Sequence, residues 1–126
     1  MRIFIADADA DIRVAVQMLA NQQPDMNVVG IAVQCDNLVQ QVRLAKPDIL
    51  HLNWELPGQD VTEMVKVLCE AIPRLKLIVL SVRPEARSPA LAAGADAFID
   101  MAMTSDALID TYRRVAKCPV ALQNSA

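Results

Sequence analysis

The sequence predicts an α/β fold, one domain built as a doubly wound parallel sheet of five strands. Three observations lead there. Short apolar runs of strand length recur along the chain, each ending in a small or polar residue. Segments with apolar residues at helical spacing separate them, the alternation expected of βαβ units with right-handed crossovers. The central run, Ile49-Leu50-His51-Leu52, stops at Asn53 and is followed by a Pro57-Gly58 turn, as for a strand buried on both faces.

Taken in order, Ile3 to Ala6 is the first strand, ending at Asp7. The helix after it carries Ile12, Val16 and Leu19 on one face, and Asp9 or Asp11 suits its positive amino end. Val28 to Ala32 follows the Pro24-Asp25 turn signal as the second strand. A helix from about Asp36 to Ala45 carries Leu38, Val39 and Val42, and Pro47 stops it. After the central strand, Asp60-Val61-Thr62-Glu63 opens a helix in the manner of a capping box, and Pro73 closes it. Lys76 to Ser81 is the fourth strand. Pro84 and Pro89 fall where the fourth helix belongs, so that helix is expected to be short or irregular before Gly94 ends it. Ala97 to Ile99 is the fifth strand, and Thr104 to Ala116 the last helix, with Leu108, Tyr112 and Val115 on one face.

At 126 residues and 13.8 kDa the chain suits one core, with residues 1–117 as the domain and 118–126 as a tail or linker stub. Apolar residues make up 54% and charged residues 21%, which excludes a disordered chain. The net charge of -3 gives no electrostatic case for direct nucleic-acid binding, which needs clustered Lys and Arg. Cys35, Cys69 and Cys118 are too widely spaced for a Cys-x-x-Cys zinc or redox motif and read as reduced thiols. The amino-terminal apolar run is too short for a signal peptide or a membrane span, so the expected setting is the cytoplasm, away from the membrane. His51 is the single histidine, has no metal-ligand partner nearby in sequence, and reads as a structural imidazole.

The residues that carry chemistry cluster at predicted strand ends, where ligands bind in doubly wound sheets. Pro47-Asp48, the run Ile49-Leu50-His51-Leu52, Asn53, then Leu56-Pro57-Gly58-x-Asp60 resembles the phosphoacceptor strand and loop of response-regulator receiver domains, the CheY-like family. Ile5-Ala6-Asp7-Ala8-Asp9 resembles that family's acid pair, and Ala93-Gly94-Ala95-Asp96-Ala97-Phe98-Ile99-Asp100-Met101 its Ala-Gly-Ala-Asp segment. The resemblance covers residues 2 to about 116. It implies the flavodoxin-like strand order 2-1-3-4-5. It also implies a pocket in which two acids hold magnesium, an aspartate accepts the phosphoryl group, and a hydroxyl and a lysine hold its oxygens.

This chain departs from that pocket at three of its positions. Asp7 matches the first acid and Ser81 the hydroxyl, but Ala8 replaces the second acid, Asn53 the acceptor and Met101 the lysine. Phe98 matches the aromatic switch residue. A neutral amide is a poor nucleophile, and magnesium wants more than one isolated carboxylate. The resemblance therefore implies a degenerate pseudo-receiver with no metal, no cofactor and no catalysis of its own. Its expected role is regulatory protein-protein interaction in signal transduction, with a partner protein, with itself, or with a covalently linked output domain. Two readings stay open beside it: a conventional phospho-receiver if Asn53 is not the native residue, and a small-ligand-binding domain of the same fold. The latter has no Gly-rich phosphate loop in its favour.

Overall fold

A computed structural model describes residues 1–101 and 104–117. The elements run β1 (Arg2–Ala6), α1 (Ala10–Asn21), β2 (Asn27–Ala32), α2 (Leu38–Ala45), β3 (Ile49–Asn53), α3 (Val61–Ala71), β4 (Lys76–Ser81), a 3-10 turn (Pro84–Ala86), α4 (Arg87–Ala93), β5 (Ala97–Asp100) and α5 (Ser105–Lys117). All four strand pairings are parallel and the sheet order is β2-β1-β3-β4-β5. The five-stranded doubly wound sheet is the predicted one.

Strand alternation sorts the core into two layers. Ile3, Ile5, Ile49, Ile78, Leu80 and Ile99 face α1 and α5, where Val16, Ala20, Ile109, Tyr112 and Val115 cover them. Phe4, Leu50, Leu52, Leu77, Val79 and Phe98 face the other way, against Leu38, Val42, Met64, Val65 and Leu68 of α2 and α3. Both faces of β3 are therefore buried, His51 included. Between β1 and β2 the register slips after Ile3, and Phe4 pairs with Gly30. A Cβ on Gly30 would lie 2.4 Å from the Phe4 ring, so glycine is what lets that ring lie against the edge strand.

The helix ends follow local chemistry with small adjustments. Asp9 caps α1, accepting from the Asp11 and Ile12 amides. Asp60 caps α3 through the Thr62 amide at 2.9 Å, but Glu63 pairs with Lys66 at 3.6 Å instead of completing a capping box. The second helix starts two residues later than the sequence suggests, because Asn37 takes a left-handed conformation with φ 58°. The fourth helix is short, seven residues after the 3-10 turn, and Pro89 is tolerated in its first turn, where no intrahelical acceptor waits for the missing N–H. Gly94, at φ 122°, ends it. The expected tail at 118–126, including Cys118, lies outside the described residues.

Candidate functional site

The parallel sheet brings the carboxyl ends of β1, β3, β4 and β5 to one edge. Ala6 pairs with Leu52 and Asn53 with Leu80, so Asp7, Asn53 and Ser81 end neighbouring strands. Met101 follows β5, its amide donating to the Ser81 carbonyl at 3.1 Å. Asp7, Ala8, Asn53 and Met101 line one hollow of about 280 Å³, together with Asp9, Ile12, Glu55 and Val82. Four of the positions singled out from the sequence are thus one site. Ser81 sits beside it but does not line it: the residue is buried and its Oγ accepts the Arg83 amide at 3.0 Å. Phe98 is packed into the α3 side of the core, away from the hollow's lining. Trp54 packs partly buried against that same core layer.

Asp7 is the electrostatic centre of the site and is 1% exposed. Its Oδ1 accepts the Asp9 amide at 2.9 Å, and its Oδ2 accepts the Asn53 side-chain amide at 3.1 Å. The other end of that amide, Asn53 Oδ1, accepts the Glu55 backbone N–H at 2.7 Å. Asn53 therefore bridges the first and third strand ends as a donor and acceptor at once, which a carboxylate cannot do. Two acids outside the family's motif also border the hollow, Asp9, which is spent on its cap as expected, and Glu55, which lies 3.3 Å from Arg83.

A second layer lies beneath, which the sequence did not disclose. His51, fully buried on β3, turns to the α1 and α5 side with Nε2 3.6 Å from Asp7 Oδ2 and Nδ1 2.6 Å from the Tyr112 hydroxyl. At 3.6 Å the Asp7 contact is electrostatic rather than a full hydrogen bond, and Nε2 has no other partner among the described residues. The arrangement suits the tautomer in which the Tyr112 O–H donates to Nδ1 and Nε2–H faces the carboxylate. Burial, reinforced by the nearby Asp7 charge, pushes the Tyr112 phenol well above its ordinary pKa and keeps its proton in place. For Asp7, burial opposes ionisation, but His51, the Asp9 amide and the Asn53 amide outweigh it and hold the carboxyl below the usual carboxylate range. His51 is structural, as read from the sequence, but it is not isolated from the site.

The comparisons with known proteins agree with this fold. The model of the response regulator receiver domain family matches residues 3–113. The chain belongs to the response-regulator receiver family. This receiver is 30% identical over 119 residues to a protein-glutamate methylesterase/protein-glutamine glutaminase of Thermotoga maritima, covering 92% of the chain and 34% of that protein. It is 26% identical over 119 residues to the transcriptional regulatory protein DegU of Brevibacillus brevis, covering 93% and 50%. The solved response regulator domain of Thermotoga maritima CheB superposes with a TM-score of 0.83 at 22% identity, covering 94% of this chain and 98% of that one. The chain spans about a third to a half of the curated relatives' length. Membership places this receiver in two-component signalling. No helix among its described residues is long and apolar enough to cross a membrane.

Proposed function

We propose that this receiver works without phosphorylation, as a regulatory module that acts through protein-protein contact and is not itself a catalyst. The observation that carries this reading is the state of Asp7, the one acid matching the family's motif. Its carboxylate is satisfied from inside the fold by the Asp9 amide, the Asn53 amide and the nearby His51 imidazole. Asn53 holds the acceptor position with a neutral amide, and Met101 brings no cation to phosphoryl oxygens. Phosphoryl transfer depends on positioning and charge neutralisation, and each departure removes a part of both. The residues suit magnesium poorly: the Asp7 oxygens accept the Asp9 and Asn53 amides, Asp9 caps α1, and Glu55 lies 3.3 Å from Arg83.

Partners follow from the relatives, which are longer proteins. A linked output domain, a separate partner protein or a second copy would be contacted by the receiver's surface, in the cytoplasm. Incubation with acetyl phosphate and magnesium, read by intact-protein mass spectrometry, tests the reading. The expected result is no phosphate adduct on the parent chain and none on Asn53→Asp alone. The combination Ala8→Asp, Asn53→Asp and Met101→Lys is the minimum expected to label. An adduct on the parent chain mapped to this pocket overturns the proposal.

A further inference from the structure

At the opposite edge of the sheet, where the strands begin, lies a cleft of about 600 Å³. Arg43, Lys46, Arg74, Lys76 and Lys117 line it, with Asp48 as the sole acid. Five of the chain's 12 Lys and Arg residues therefore gather at one place on a molecule whose net charge is -3. Asp48 is already engaged, its Oδ2 accepting the Arg2 amide at 2.7 Å. None of the five cations is in one of the ion pairs found among the described residues, which are His51–Asp7, Lys66–Glu63, Arg83–Glu55 and Arg113–Asp25.

Helix carboxyl termini gather at this edge and favour basic side chains, which accounts for Arg43 and Lys117 in the last turns of α2 and α5. That explanation does not reach Lys76. It opens a strand, is 5% exposed, and its buried ammonium has no hydrogen-bond partner among the described residues. A buried ammonium without an acceptor is costly unless something anionic completes it. The cleft's volume falls in the range of small-ligand sites, and guanidinium groups beside ammonium groups suit the oxygens of phosphate.

We infer that this cleft is an anion site for a small phosphate-chain ligand, either a free polyphosphate or the phosphate tail of a nucleotide, with Lys76 supplying its buried cation. The site is independent of the pocket around Asp7, at the other end of the strands. Calorimetric titration of the full chain with tripolyphosphate, ATP and citrate at low ionic strength tests it. Tripolyphosphate and ATP are expected to bind, citrate to bind at least tenfold more weakly, and the ratio of the first two to tell the free chain from the nucleotide. Backbone amide shifts in an NMR titration should map to residues 43–48 and 74–76. Lys76→Met keeps the volume and removes the charge, so it should raise the Tm of the free protein while weakening tripolyphosphate at least tenfold. Binding unchanged in Lys76→Met, citrate equal to tripolyphosphate, shifts confined to other regions, or no binding at all would each overturn the site.

Discussion

Asn53 and Asp7 are tied so closely that the amide at the acceptor position has a structural consequence as well as a chemical one. Replacing Asn53 by Asp exchanges an N–H donor 3.1 Å from a buried carboxylate for a second carboxylate. The loss of a charge-assisted hydrogen bond alone is about 2 kcal/mol, and like charges at that distance add to it. In the parent chain the Asp7 pKa is lowered from 3.8, so its contribution is complete above pH 3.8 and is lost as pH falls through the folded value. In Asn53→Asp the facing carboxylates have a raised pKa instead, so its penalty is full at neutral pH and fades as the pair takes up a proton. Urea midpoints of the two proteins should therefore converge between pH 7 and pH 4. A constant gap would show that the two side chains do not face each other. Beneath them, Tyr112→Phe strands the buried His51 Nδ1 and should cost about 1–3 kcal/mol. In a His51→Leu background the same change should cost little, and a double-mutant cycle measures the difference. Equal costs in both backgrounds would rule out the hydrogen bond as the source.

At the level of elements, the β1–β2 junction and the fourth helix show how sequence sets local form. Phe4 rests against Gly30 through a register slip that places the two residues opposite each other. Gly30→Ala puts a methyl group 2.4 Å from a ring that is 2% exposed, so overpacking of about 1–3 kcal/mol is expected. Phe4→Leu in the same chain should return part of it, as read by urea denaturation; no recovery would mean that the alanine acts through the backbone. Pro84 and Pro89 were sufficient to foretell a short α4, because a missing N–H is a local fact that needs no tertiary context. The delayed start of α2 was not legible, since nothing in the residues around Asn37 requires its left-handed turn.

For the whole molecule, the strand ends divide the surface into two regions of different character. The carboxyl edge holds the hollow around Asp7, and the amino edge holds the cationic cleft with Lys76. If the first is uncoupled from phosphoryl chemistry, millimolar magnesium should leave the fluorescence of Trp54, beside Asn53 in the chain, unchanged, and magnesium with acetyl phosphate should leave the sedimentation coefficient unchanged. Saturable quenching that disappears in Asp7→Ala, or a donor-dependent change of assembly, would restore a conventional switch.

What the sequence determined by itself is the set of strands and helices, because periodicity and turn chemistry are properties of neighbouring residues. The strand order came with the family's motifs, and those motifs also located Asp7, Ala8, Asn53 and Met101 in one pocket. Only the tertiary structure joined Asp7 to His51 and Tyr112, which are 44 and 105 positions away along the chain. Only it gathered cations from α2, β4 and α5 around one cleft. The reason is physical: a hydrophobic pattern states which face of an element is buried, whereas hydrogen bonds and charge clusters depend on which faces meet and in what register, and that is decided when the layers pack.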